Sequence, residues 1–279
     1  MRDTPRPQGT VGELRPWPPQ LRPGRALAHT PGASGSGSPH RSDSRPPQTP
    51  RGGRRSGLDG RLGITPPVPG RPTLLFLLLG LPALCFALIT WQVVSGGLLL
   101  RVDARISHAL VDPVRLYGAL ADLGNVTVAV PVLAAAVGYV AWRGRTAGLH
   151  RWWVPPLAAA VLMALVPALV VPLKVLVDRP GPPVTGPGTG YYPSGHTATA
   201  SVAYGAATLL LLPWLRDARV RRALVAVCAV VNLAVGWGLV RRGYHWPLDV
   251  VASWCLCAVL LTGLWVFLGG SGRGGRQPK

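Results

Sequence analysis

Residues 73–94 read TLLFLLLGLPALCFALITWQVV, a run without a single charged side chain. At a helical rise of about 1.5 Å per residue, such a run reaches across a hydrocarbon core of about 30 Å. Comparable runs recur to the C-terminus, and 48% of the 279 residues are apolar against 14% charged. We place spans at Thr73–Val94, Val126–Trp142, Trp152–Leu173, Thr197–Leu215, Ala223–Val240 and Val250–Leu268. The expected fold class is therefore all-α, a polytopic membrane protein built as a six-transmembrane-helix bundle. Pro82, Pro131, Pro155, Pro156, Pro167 and Pro172 fall in or near these spans. Neighbouring helices can re-satisfy the carbonyls that proline frees.

The spans define residues 71–270 as the membrane domain. Residues 1–70 are rich in Pro, Gly, Ser and Arg, a composition that cannot bury a core, and are expected to be a disordered basic tail. Residues 271–279 form a short basic C-terminal tail. The first apolar run begins far from Met1, so it reads as a retained span and not as a cleaved leader. Residues 101–123, RVDARISHALVDPVRLYGALADL, carry apolar positions at helical spacing among charges. We read them as one amphipathic helix lying on the membrane, with His108 at the interface.

The formal net charge is +19, which raises the question of nucleic acid. The distribution excludes that partner: 12 of the 29 basic residues precede position 72, and most others sit in short gaps between spans. Arg143, Arg145 and Arg151, then Arg216, Arg219, Arg221 and Arg222, then Arg273, Arg276 and Lys279 all fall on one side of the bundle. By the positive-inside rule that side is the cytoplasm, with both termini inside a multi-pass cell-membrane protein. Cys85, Cys228, Cys255 and Cys257 all lie in apolar runs, so neither a structural disulfide nor a zinc site is expected.

Two loops on the opposite, extracytoplasmic side hold the unusual residues. One reads LKVLVDRPGPPVTGPGTGYYPSGHT and the other GLVRRGYHWPLDVV. Two spans separate them, so both emerge on one face. In Pro193-Ser194-Gly195-His196 the fourth span begins, and a helix N-terminus offers unpaired N–H groups and partial positive charge to an anion. Ser194 adds a hydroxyl, Gly195 lets backbone approach a ligand, and Lys174 adds charge. His196 can supply a proton near neutral pH. His245 and Asp249 are four apart, on one helix face. An aspartate that accepts from one ring nitrogen leaves the other free to attack phosphorus. The set reads as a phosphate site in which two histidines divide nucleophile and acid roles.

At these residues the chain resembles the type 2 phosphatidic acid phosphatase superfamily of membrane lipid phosphatases, over roughly residues 73–268. The family's motifs are K-x6-R-P, P-S-G-H and S-R-x5-H-x3-D. The second is complete here as Pro193, Ser194, Gly195 and His196; in the third Gly243, His245 and Asp249 match, and in the first Lys174 and Pro182. The resemblance implies a six-helix membrane fold with an extracytoplasmic site, His245 as nucleophile, Asp249 as its orienting partner and His196 as general acid. It implies that Lys174, Ser194 and the Gly195 amide hold the phosphate. The chain departs from the motifs at Gly181, where an arginine is usual, and at Gly238 and Leu239, where Ser-Arg is usual. Arg179 and Arg242 lie close enough to reach the same phosphate with a forked guanidinium. The expected activity is hydrolysis of a lipid phosphate or diphosphate through a phosphohistidine, without a metal or other cofactor. Undecaprenyl diphosphate, phosphatidic acid and phosphatidylglycerol phosphate are the candidate substrates. A phosphotransferase of the same family and a weakened, lipid-binding member remain the alternatives.

Overall fold

The computed structural model describes residues 71–112 and 114–271. The expected basic tails at 1–70 and 272–279 lie outside the described residues. The described chain is all-helical: α1 (Arg71–Val94), α2 (Leu98–Leu110), α3 (Arg115–Asp122), α4 (Val126–Thr146), α5 (Val154–Val177), α6 (Gly195–Leu211), α7 (Ala218–Arg241) and α8 (Pro247–Ser271). Short 3-10 turns occupy Pro183–Thr185 and Leu212–Trp214.

Five helical stretches are long and apolar enough to cross a membrane: Thr73–Val94, Arg115–Thr146, Val154–Val177, Ala218–Arg241 and Pro247–Gly269. The remaining expected span, Thr197–Leu215, is α6, a helix of 17 residues that runs into a 3-10 turn. It forms the centre of the molecule and packs against α4, α5, α7 and α8. Its sequence, GHTATASVAYGAATLLL, explains the position, because small side chains let helix backbones approach closely. Ala198, Val202, Ala203 and Ala206 of α6 mesh there with Leu133 and Val140 of α4, Leu162 and Val166 of α5, and Leu264 of α8. On the outside, Phe76, Leu81, Val230 and Leu233 are exposed apolar residues on α1 and α7. Such an outer surface suits hydrocarbon and not water.

The single helix expected over 101–123 is two helices, α2 and α3, joined by extended backbone beginning at Val111. The sequence there is Val111-Asp112-Pro113-Val114, and a proline biases the preceding residue out of the helical region. Both faces of α2 are used. Leu98, Leu99, Val102 and Ile106 are exposed, whereas Asp103 and Ser107 are buried against the protein. Asp103 and Ser107 thus face inward, on a helix that packs against α7 and α8, while Arg101, Arg105 and His108 are exposed.

Candidate active site

The elements end where the site needs them. α5 stops with Asp178 in the left-handed conformation (φ 47°), which leaves Lys174 on its last turn. Ser194 caps α6: its Oγ accepts from the Thr197 N–H at 3.3 Å. α8 starts at Pro247, a position where the missing N–H costs nothing. Asp249 sits on its first turn and reaches back to accept from the Trp246 N–H at 3.1 Å, as in a capping box. Gly243, with φ 72°, makes the tight turn between α7 and His245.

The capping aspartate also holds the histidine. His245 Nδ1 donates to Asp249 Oδ2 at 3.2 Å, with the histidine 7% exposed and the aspartate fully buried. Nδ1 is thereby occupied, and Nε2 is the nitrogen left for the cavity that His245 lines. The starts of α6 and α8 are stitched together. The Ser194 N–H donates to the Asp249 carbonyl at 3.2 Å, and Ser253 Oγ donates to the Ser194 and Asp249 carbonyls at 2.9 and 2.8 Å.

That cavity has a volume of about 1110 Å³. Its polar end is formed by Lys174, Gly190, Tyr191, Gly195, His196 and His245. From there it runs between α4 and α5 along apolar side chains, among them Val130, Leu133, Val137, Met163 and Val170. Lys174 Nζ donates to the Gly190 carbonyl at 2.7 Å, and its stem passes so near Gly195 that a Cβ there would lie 3.9 Å from Lys174 Cε. Tyr191 meets the His245 ring edge-on, with centroids 5.8 Å apart. His196, on the first turn of α6 and ahead of the stretch Thr197–Leu215, has its proton affinity lowered. The first cause is withdrawal from water, and the second is the neighbouring His245; Asp122 acts in the opposite direction and Lys174 in the same one.

Of the expected site residues, Lys174, Gly195, His196 and His245 share the cavity wall, with Asp249 directly behind His245. Ser194 is fully buried, one residue back, and its oxygen serves as the helix cap, also accepting from Thr197 Oγ1 at 3.0 Å. Arg179 is placed differently from its expected role. Its two terminal nitrogens each bind a carboxylate, Asp249 Oδ1 at 2.5 Å and Asp103 Oδ2 at 2.5 Å, and the side chain is 6% exposed. Two buried carboxylates thus engage it, and it lines a separate pocket with Trp246, whose ring lies 5.3 Å from the guanidinium. The Arg242 guanidinium lies 5.9 Å from the Tyr244 ring, next to His245.

The departures from the motifs have packing reasons. At Gly181 a Cβ would come within 2.6 Å of the Tyr191 ring and 2.4 Å of Thr185 Oγ1, so Tyr191 fills the space an arginine stem needs. At Gly238 a Cβ would come within 2.7 Å of the α3 backbone at Tyr117 and Ala121. Leu239 is fully buried in an apolar cluster with Ala121, Ala200, Val235 and Val250, which offers no home to a charge. The sequence reading missed Asp103 and Tyr191. The only trace of Asp103 is an acid on the same face as Ser107, one turn away, in a segment whose other charged residues are arginines.

A multi-pass, all-helical membrane protein with a buried His–Asp pair at the polar end of an apolar cavity is the class that these features define. Residues 155–273 match the family model of the PAP2 superfamily, so the resemblance carried by the motifs holds at the level of the family comparison. Among solved structures the chain is similar to "the first transmembrane PAP2 type phosphatidylglycerolphosphate phosphatase from Bacillus subtilis". The two share 19% identity over 71% of this chain and 98% of that one, with a TM-score of 0.55. A likeness at that identity is one of fold. No curated protein matches the sequence.

Proposed function

We propose that the protein is a membrane phosphatase that removes a phosphate from a lipid phosphate or diphosphate, with His245 as the nucleophile. The observation that carries the reading is the 3.2 Å contact between His245 Nδ1 and Asp249 Oδ2 on the wall of a cavity that continues as an apolar groove. An amphiphile suits both ends: phosphate beside Lys174, the Gly195 amide and the two histidines, and a hydrocarbon tail between α4 and α5. In this reading His245 Nε2 attacks phosphorus and the P–O bond to the lipid breaks. His196 gives its proton to the leaving oxygen. Water then attacks the phosphohistidine, losing its proton to His196, and phosphate departs. Asp249 stabilises the positive charge on the His245 ring throughout. The residues invoked need no metal, and none is assigned to the reaction.

α6 is read as the sixth span from Thr197 onward, α2 and α3 as interfacial, the termini as cytoplasmic and the site as extracytoplasmic. Arg242 is retained as a second phosphate contact beside Lys174; Arg179 is not, because its nitrogens are engaged by carboxylates. The phosphotransferase alternative differs only in the acceptor. The weakened, lipid-binding alternative draws on one observation, the loss of room for arginine at Gly181 and Leu239.

The test is phosphate release by the full-length protein in nanodiscs, with a chelator present, from phosphatidic acid, phosphatidylglycerol phosphate and undecaprenyl diphosphate. Wild-type release above that of His245→Ala is expected, with Lys174→Ala weaker than Arg242→Ala. Equal release by wild type and His245→Ala removes the nucleophile assignment, and lipid binding without release supports the lipid-binding alternative.

A further inference from the structure

Resting on the phosphatase reading above, we infer that Asp103, acting through Arg179, is a positioning residue that keeps one oxygen of Asp249 available to His245. Asp103 lies in α2, outside the segment that matches the family model. It is 2% exposed, and each of its oxygens has a partner. Oδ1 accepts from the Leu248 N–H at 2.9 Å, at the start of α8, and Oδ2 accepts from Arg179 at 2.5 Å.

The argument turns on what a guanidinium does when given a single carboxylate. Its two terminal N–H groups match both oxygens, and the fork-on-fork arrangement is the strong one. In this site such a fork on Asp249 would take Oδ2, the atom that His245 Nδ1 and the Trp246 N–H use. Asp103 prevents it by holding one terminal nitrogen, so Arg179 offers only the other, to Asp249 Oδ1. A charge argument runs the same way. One arginine between two carboxylates leaves a net negative charge beside His245, and that charge favours the cationic ring formed when the imidazole attacks. Burial pushes the Asp103 carboxyl upward, while Arg179 and the Leu248 N–H act against that.

Asp103→Asn tests this in full-length protein reconstituted in nanodiscs. Asparagine keeps the acceptor for Leu248 but weakens the hold on Arg179. We expect kcat for a lipid phosphate to fall on the order of tenfold, as when groups that orient a reactive side chain are removed, with KM within about twofold. Adding Arg179→Gln removes the competing fork, so the double variant recovers several-fold in kcat. A residue that only ties α2 to α8 predicts a lower melting temperature in Asp103→Asn, no kcat-specific loss and no rescue. Wild-type kcat in Asp103→Asn, or a double variant slower than the single one, overturns the inference. Should Asp103→Asn not be monodisperse, Asp103→Ser carries the test. Serine lacks the carboxylate that holds Arg179, so the guanidinium is again free to fork onto Asp249 and kcat falls similarly; wild-type kcat there overturns the inference.

A second readout separates this inference from the phosphatase reading. The rate at which diethyl pyrocarbonate modifies His245, followed by mass spectrometry, needs no turnover. Slower modification in Asp103→Asn, reversed in the double variant, supports the positioning role even if no lipid phosphate is hydrolysed. An unchanged rate across the variants counts against it even if wild type is an active phosphatase.

Discussion

Arg179 and Asp249 form an ion pair of 2.5 Å in which neither side chain is more than 6% exposed. The pair joins the loop after α5 to the first turn of α8, and so ties the arm that carries Lys174 to the one that carries His245. A buried pair of this kind is weak evidence for stability but strong evidence for a fixed geometry, because removing one partner strands a charge. Here the fixed geometry is that of the carboxylate on which the His245 ring leans.

Replacing Asp249 should therefore damage activity and fold together, and two substitutions separate the effects. Asp249→Asn keeps the shape and the contact with the Trp246 N–H but removes the charge. Loss of kcat by about 100-fold or more is expected, because the His245 ring loses the negative charge that stabilises its cationic form. Asp249→Ala also leaves one buried Arg179 nitrogen without its carboxylate, Asp103 still holding the other, and should cost about 1–3 kcal/mol of stability. Lipid phosphatase assays and thermal melts in the same nanodiscs check both. An asparagine variant at wild-type rate would remove Asp249 from the mechanism.

Much of this was legible in the sequence, and the rest was hidden for physical reasons. Uncharged runs of spanning length are a one-dimensional signal, so α1, α4, α5, α7 and α8 fall where length and composition put them. The convergence of Lys174, His196, His245 and Asp249 followed from counting spans between loops. The break between α2 and α3 was encoded at Asp112-Pro113 but masked by continuous helical spacing on either side. The Asp103–Arg179 contact joins residues 76 apart and depends on which way an amphipathic helix is rolled. Sequence periodicity shows that α2 has two faces but not which one meets protein. For a helix at a membrane surface the apolar face turns outward, the reverse of a soluble protein.

The groove between α4 and α5 makes a prediction about chain length. Ala164 lines it and its residue is exposed, so a larger side chain can be introduced there without overpacking the core. Ala164→Phe should raise KM for a long-chain lipid phosphate by about tenfold, a loss of about 1.4 kcal/mol of binding. KM for a short-chain, water-soluble phosphomonoester should stay within about twofold. Equal effects on the two substrates would mean that the tail lies elsewhere.

Restoring the arginine of the family motif should harm this protein. In Gly181→Arg the new Cβ meets the Tyr191 ring within 2.6 Å, and that ring is the edge contact of His245. Overpacking of this kind costs about 1–3 kcal/mol and moves the aromatic ring away from His245. Lower activity and a lower melting temperature are expected in the single variant, both partly recovered in Gly181→Arg/Tyr191→Ala. A single variant faster than wild type would show that Tyr191 yields easily and that the missing arginine limits the enzyme.

The pH profile tests the acid. A general acid must carry its proton, so the rate falls as pH rises through the pKa of that group. In His196 withdrawal from water, together with the nearby His245, lowers the pKa from the ordinary imidazole value. The alkaline limb of kcat/KM, which reports the free enzyme, should therefore lie below about pH 6.5. His196→Asn should lower the rate by about 100-fold or more and abolish that limb. Initial rates across the pH range in wild type and in His196→Asn decide the matter. A limb that persists unchanged in the variant assigns the acid to another group, and a wild-type limb well above neutrality removes the lowered proton affinity from the explanation.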